Sequence, residues 1–312
     1  MTKEALLFPG QGIGAKQIIE YSENLGAVVP KILHDYLSLA QAVTNEIYGS
    51  KTYKIDSIVS GESPQLLANT GLYQLVACAL NLAGFAYNRE HLTPEYIAGH
   101  SLGEYIGVIA AGGLTEEEGM DLVGWRGLFM LEAAQKRKSG LVSISGLSET
   151  RIQALFRDLN GYPPPTIALK NAPPAFVLGC DEEYMPTLIE EAQKAGAINV
   201  NILDVAAAFH TPLMEEAAKN LAGKLGEYSF RSLKVAVVAN LTGEPVAKGE
   251  IYPADYLIKS MTQTVEWVKT MEFLKTDGVD SYWVEGPGNT LKQLCIFNGI
   301  ARSQIRGNLR SV

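Results

Sequence analysis

Cysteine is nearly absent from the chain: Cys78, Cys180 and Cys295 are the only three among 312 residues. An odd, widely spaced set is neither a disulfide framework nor a zinc site, and it reads as small buried hydrophobes in a reducing cytosol. Charged residues make up only 19% of the chain and sum to −8. That acidic total argues against sequence-independent nucleic-acid binding, which needs clustered cations, while leaving room for a local basic patch. Long hydrophobic runs are missing too. The most apolar stretch, Leu75 to Tyr87, is interrupted by Asn81 and Gly84 and falls short of the ~20 residues a membrane span needs. Near the start, Ala5 to Phe8 runs straight into Pro9-Gly10, before the about 7–15 apolar residues of a secretory signal are reached. No His/Cys/Asp cluster has metal-ligand spacing, and there is no internal repeat or low-complexity segment. The expectation is a cytoplasmic chain with no membrane, nucleic-acid or metal partner.

What is present is an ordinary globular composition, 47% hydrophobic, at a length that suits two units or one large unit with an insert. Ala5–Phe8 predicts a buried strand entering a glycine-rich turn, Pro9-Gly10-Gln11-Gly12. Helical spacing predicts an interrupted helix over 19–39 and another over 65–86. Tyr96-Ile97-Ala98 is a short strand, Gly99 to Gly103 a tight turn, and 105–111 a helix of small residues. Thr115 with Glu118 three positions on marks a helix start, and that helix runs through Arg126 to about Gln135. The texture then changes. Strand 141–144, helix 149–159, a Pro163–Pro165 turn, two strands around Asn171-Ala172-Pro173-Pro174, helix 182–195 and strand 199–203 make a β-α-β-β-α-β order, which closes on itself as a ferredoxin-like sheet. The predicted organisation is α/β: a discontinuous large domain, 1–137 and 206–312, carrying a ferredoxin-like subdomain at 138–205.

Gly99-His100-Ser101-Leu102-Gly103 fits G-x-S-x-G with a strand before it and a helix after it. A serine on so sharp a turn is pushed out at a helix N-terminus, and the N–H of Leu102 points to where an oxyanion would form. The alternative is a serine that merely caps a glycine-rich loop. A nucleophilic serine needs a base, and the chain has four histidines. His34 and His91 sit in polar surroundings. His100 lies in the turn itself, its side chain directed away from the serine's, so packing or hydrogen bonding suits it better. His210 ends the apolar run Val205–Phe209, where an imidazole stays neutral near pH 7 and accepts a proton. Arg126, read alone, is an ordinary solvated helical arginine. Facing the serine, it could grip a carboxylate with two parallel hydrogen bonds. Gly10-Gln11-Gly12-Ile13-Gly14-Ala15 fits a loose dinucleotide-binding form, but Asp35, the acid about 20 residues on, falls on a predicted helix rather than at a strand end. No bound cofactor is expected.

Phe8-Pro9-Gly10-Gln11-Gly12, Gly99-His100-Ser101-Leu102-Gly103-Glu104-Tyr105, Arg126-Gly127, Ala208-Phe209-His210 and Glu285-Gly286-Pro287-Gly288 together resemble malonyl-CoA:acyl carrier protein transacylases, in order and over nearly the whole chain. The resemblance implies an α/β-hydrolase-like large domain with a ferredoxin-like insert. It implies that Ser101 attacks the thioester of malonyl-CoA and that His210 relays the proton. The oxyanion hole would be the backbone N–H groups of Gln11 and Leu102. Arg126 would clamp the malonyl carboxylate, with His100, Phe209 and Asn171 completing the substrate site. A backbone carbonyl near Ser260 would orient the histidine. The acceptor would be the phosphopantetheine thiol of an acyl carrier protein, with coenzyme A entering only as part of the substrate.

Phe209 and Leu102 favour malonyl over the branched methylmalonyl group, a steric preference worth ~1–3 kcal/mol. The segments 13–16, 141–143 and 170–173 depart from the family's usual residues. Those departures suit a specialised, free-standing enzyme acting in trans for a polyketide synthase better than the general fatty-acid enzyme. Three other enzyme readings share parts of this pattern: an acyl hydrolase, a carrier-to-carrier transferase of longer acyl groups, and a generic esterase, with a non-enzymatic scaffold beside them. The basic run Lys136-Arg137-Lys138 is a candidate docking rim for an acidic carrier, or simply a solvated loop.

Overall fold

The computed structural model describes residues 2–49, 52–155 and 163–307. It opens with β1 (Glu4–Phe8), in which Ala5 to Phe8 are wholly buried, as suits a parallel strand covered on both faces. The helices α1 (Ala15–Val28) and α2 (Pro30–Tyr48) replace the single interrupted helix expected there. The break falls at Val29 (φ −136°), because a proline drives the residue before it out of the helical region. After the short α3 (Ile55–Val59) comes α4 (Thr70–Asn88), whose first N–H groups at Gly71 and Leu72 donate to the Asn69 side chain. Pro64–Ala68 forms a separate 3-10 turn, so the predicted helix starts later than its periodicity suggested. Sixteen of the nineteen residues of α4 are buried, so the most apolar stretch of the chain is core. Among the described residues no helix is long and apolar enough to cross a membrane.

Then follow β2 (Tyr96–Gly99), α5 (Leu102–Ala110) and α6 (Glu116–Lys136). The start of α6 carries the reciprocal bonds expected of Thr115 and Glu118: Glu118 N–H donates to Thr115 Oγ1 and Thr115 N–H to the Glu118 carboxylate. The next segment is β3 (Ser139–Ser145), α7 (Glu149–Leu155), β4 (Thr166–Ala172), β5 (Ala175–Asp181), α8 (Met185–Lys194) and β6 (Asn199–Ile202). The last part of the helix predicted to reach 159 lies outside the described residues. The chain returns through α9 (Glu215–Lys224), β7 (Ala236–Val238), β8 (Pro245–Val246), α10 (Ala254–Lys259), α11 (Trp267–Thr276), β9 (Ser281–Val284), α12 (Thr290–Phe297) and β10 (Ile305–Arg306).

Two sheets result. The larger has the order β10-β9-β1-β2-β7-β8 and is parallel except for β8. The smaller, β4-β5-β3-β6, is antiparallel throughout. That order, with a helix following each of the two central strands, β3 and β5, is the ferredoxin-like arrangement, set into an α/β-hydrolase-like unit. Val142, Ile144, Leu178 and Leu188 form the subdomain's own core. Leu141, Leu169 and Val177, on the other face, join a core that includes Trp267 and Val284 of the large unit. Val265 stitches the two together, donating to Ala168 O at 2.9 Å and accepting from Lys170 N at 3.0 Å. The cleft lies beside this seam, at the carboxyl ends of β1 and β2, where open α/β sheets place their sites.

Candidate active site

Ser101 sits between β2 and α5 with φ 55° and ψ −109°, a backbone conformation that L-residues rarely adopt. Glycines make the turn sterically possible. A Cβ on Gly99 would lie 1.8 Å from the Gly103 carbonyl carbon, and one on Gly103 would lie 2.1 Å from Phe8 O. The hydroxyl so presented is 2.7 Å from His210 Nε2. His210 (φ 62°) is held from behind: its Nδ1 is 2.5 Å from Ser260 O and its backbone N donates to Met261 O at 3.1 Å. A carbonyl can only accept, so Nδ1 carries the proton and Nε2 offers its lone pair to Ser101. Burial, reinforced by the nearby Arg126 charge, pushes His210 down to about 3, against the opposing bond to Ser260. The imidazole is therefore neutral at every ordinary pH.

Arg126 is not the solvated residue that its sequence context alone suggested. It is 1% exposed, because α6 crosses α4 too closely for any side chain at the contact. A Cβ on Gly127 would lie 2.7 Å from the Gly71 Cα. The crossing places Arg126 Nη1 on Gln74 Oε1, Nη2 3.4 Å from Ser101 Oγ, and the guanidinium over the Tyr105 ring at 4.8 Å. Arg126 Nε, also buried, has no hydrogen-bond partner. Burial lowers the arginine from its ordinary value, with Tyr105 and Glu104 opposing, yet a guanidinium stays charged.

The remaining predicted residues are placed as follows. Gln11 accepts from Thr70 Oγ1 at 2.9 Å, while Ile13 N donates to Tyr73 OH at 2.9 Å, so the segment after β1 is pinned onto α4. Leu102 opens α5, ahead of Gly103 N and Glu104 N, which bond to His100 O and Ser101 O. His100 turns away from the serine. Its Nε2 is 2.8 Å from Asn171 Oδ1 and its ring meets the Trp267 ring edge-on at 5.3 Å. Phe209, 5% exposed, borders the same cavity of about 700 Å³ as Gln11, His100, Ser101, Asn171 and His210. Ser143 also lines it. A second hollow of about 630 Å³, beside α8 and β6, is lined by neither Ser101 nor His210. The exposed Lys136 and Arg137 are engaged with Glu216 and Asp181, at 2.5 and 2.6 Å, which weakens the case for that run as a docking rim. His34 and His91 are exposed, and all three cysteines are buried and free. Among the described residues no group of three or more His, Cys, Asp or Glu is placed to hold a metal.

Three residues that bear on the site went unread in the sequence. Gln74 holds Arg126. Asn240 accepts from Ser101 N at 2.8 Å. Glu104 is wholly buried, accepts from Asn240 N at 2.7 Å and from Tyr252 OH at 2.6 Å, and is pushed up to about 7 by burial. Of these only Glu104 left a trace, as a member of the Gly99–Tyr105 motif to which no role was given.

A family model described as acyl transferase domain matches residues 31–284. The polyketide biosynthesis protein ThaF of Burkholderia thailandensis is 29% identical over 298 residues, 94% of this chain, and the chain spans 24% of that protein's length. The malonyl CoA-acyl carrier protein transacylase of Bacillus subtilis is 27% identical over 306 residues, covering 96% of this chain and 73% of that one. Among solved structures, the malonyl CoA-acyl carrier protein transacylase of Coxiella burnetii superposes with a TM-score of 0.85 at 27% identity, over 98% of this chain and 94% of that chain.

Proposed function

The chain belongs to the acyl transferase domain family, and from that premise we propose that it moves a malonyl group from coenzyme A to the phosphopantetheine thiol of an acyl carrier protein, through an acyl-enzyme on Ser101. His210 Nε2 takes the hydroxyl proton as Ser101 Oγ bonds to the thioester carbon. The oxyanion of the tetrahedral intermediate is received by the N–H groups of Leu102 and Gln11. On collapse the carbon–sulfur bond breaks, and the imidazolium returns its proton to the departing coenzyme A thiolate. The carrier's thiol then enters and the same steps run in reverse order. Every proton is accounted for by one imidazole, so the reaction needs no further cofactor. A malonyl group fills only a small part of the cavity, which leaves room for the pantetheine arm.

One observation carries the choice of a carboxylated acyl group. Gln74 occupies Nη1 of Arg126, while Nε has no hydrogen-bond partner and Nη2 lies 3.4 Å from Ser101 Oγ. The Nε/Nη2 edge, buried in the free protein, is the edge with which Arg137 grips Asp181 at 2.6 and 2.7 Å. A carboxylate one carbon beyond an acyl group on Ser101 meets that edge. A buried, unpaired guanidinium is costly to maintain, and a diacid half-ester removes the cost. His100 holds Asn171 on the same wall, and Phe209 crowds an α-methyl branch, which favours malonyl over methylmalonyl.

The test is incubation with malonyl-, methylmalonyl- and acetyl-CoA, then mass measurement of the intact protein and of the peptide containing Ser101. Malonyl should load fastest and transfer to a phosphopantetheinylated carrier of polyketide or fatty-acid synthesis. Loading of acetyl alone, or an adduct that releases free malonate faster than it reaches the carrier, refutes the proposal.

A further inference from the structure

The nucleophile's conformation is held from outside its own turn. Ser101 N–H donates to Asn240 Oδ1 at 2.8 Å, and the Asn240 amide group donates to Gly99 O. One side chain thus clasps the turn on both sides of His100, using its acceptor on one peptide and its donor on another. Asn240 follows β7, the strand beside β2, and is itself fully tied. It is 0% exposed, its N–H donates to Glu104 Oε1 at 2.7 Å, and its carbonyl accepts from Glu266 N at 2.8 Å. Glu104 is fixed in turn by Tyr252 OH. The groups facing this cluster are Glu104 and Tyr105 from α5, Arg126 from α6, Tyr252 and Ser260 from the return segment, His100 and His210 at the clasped turn, and Glu266, whose N–H bonds Asn240 O.

Resting on the acyltransferase reading, we infer that Asn240, anchored by Glu104, is the positioning residue that fixes the Ser101 backbone so that Oγ stands within proton-transfer distance of His210. The chemistry requires it in two ways. A serine at φ 55° relaxes toward ordinary backbone angles unless its neighbours over-determine it. Holding Gly99 O and Ser101 N–H also fixes the peptide planes on either side of His100, while Glu104 N–H, bonded to Ser101 O at 3.0 Å, holds the next plane, from which Leu102 N–H projects, so Asn240 and its anchor Glu104 together set the nucleophile and an oxyanion donor. A misplacement of roughly 1 Å at such a centre costs about 100-fold in rate.

The test uses acylation of Ser101 by malonyl-CoA, followed by rapid quenching and intact mass. Asn240→Leu removes both bonds and should lower the acylation rate about 100-fold, with the dissociation constant for malonyl-CoA within about threefold. Asn240→Asp is the decisive variant because it keeps the shape. Its carboxylate can accept from Ser101 N–H but opposes Gly99 O, and Glu104 nearby raises its protonation pH. The neutral acid regains a donor, so the rate relative to wild type should climb about tenfold from pH 8.5 to pH 6. A part played only in general packing gives a flat ratio, which overturns the inference, as does an Asn240→Leu enzyme within twofold of wild type. Amide hydrogen exchange on the unaltered enzyme needs no variant. The Ser101 amide should exchange only through global unfolding, and loop-like exchange refutes the clasp. Absence of any wild-type adduct would instead defeat the acyltransferase reading, so the two failures are told apart.

Discussion

Replacing Arg126 by methionine should convert a diacid-selective enzyme into one indifferent to the carboxylate. The Nε/Nη2 edge, its Nε without a hydrogen-bond partner, has two donors for that group. Each charge-assisted hydrogen bond contributes about 1.5–3 kcal/mol, so losing both removes about 3–6 kcal/mol of binding to the reacting group. At one decade per 1.36 kcal/mol, kcat/KM for malonyl-CoA should fall by about 10²–10⁴-fold. Acetyl-CoA has no carboxylate to lose and should change by less than about threefold. Arg126→Lys keeps the charge without the planar fork and should fall between the two. Stability gives a second reading. The free protein buries this cation beside Gln74 and Tyr105, among the described residues no carboxylate lies within ion-pair distance of it, and removing a buried charge relieves its desolvation cost. Arg126→Met should therefore unfold at no lower temperature than wild type. The assay is acyl-enzyme formation with each thioester in parallel, followed by mass. If malonyl and acetyl loading fall together, Arg126 supports the site rather than gripping its substrate. If malonyl loading persists, the clamp is elsewhere.

Stability should also depend on pH through His210. Its imidazole titrates near 3 when folded and near 6.5 when unfolded, so below pH 6.5 the unfolded chain takes up the proton first and stability falls. Between pH 7 and 4.5 the loss from this one group is about 2–3 kcal/mol. Urea unfolding of wild type and His210→Gln at both pH values should show the variant losing less by that amount, and parallel losses refute the assignment. Phe209→Ser should raise the methylmalonyl to malonyl ratio of kcat/KM by about 10–200-fold, the range of ~1–3 kcal/mol, measured by competition between the two thioesters. An unchanged ratio shows that the ring does not border the α-carbon.

The parts of the site that rest on local backbone chemistry were readable in the residues. Gly99 and Gly103 around Ser101 announce a turn that no other residues can make, and the Thr115–Glu118 pair announces the start of α6. The change of texture after Gln135 announced the small sheet, because its strands and helices are short and come in β-α-β-β-α-β order. The Ser260 carbonyl was expected from the family resemblance, and it lies 2.5 Å from His210 Nδ1. What sequence could not show was pairing across distance. Gln74 and Arg126 are 52 positions apart, and Ser101 and Asn240 are 139 apart. Neither pair has a periodic signature, and an amide or guanidinium looks solvated until a helix crossing encloses it. The two-residue strands β8 and β10 escaped for another reason: so short a segment carries no alternation to detect.

Among the described residues, Ser101 and His210 are the only non-glycine positions with positive φ. Held torsions of this kind each cost of order 1–3 kcal/mol, and here they fall on the two groups whose side chains meet at 2.7 Å. The polypeptide is under tension at the very point where it works. Glycine at either position would ease that tension and silence the enzyme, so for this molecule the most relaxed chain and the competent one are different sequences.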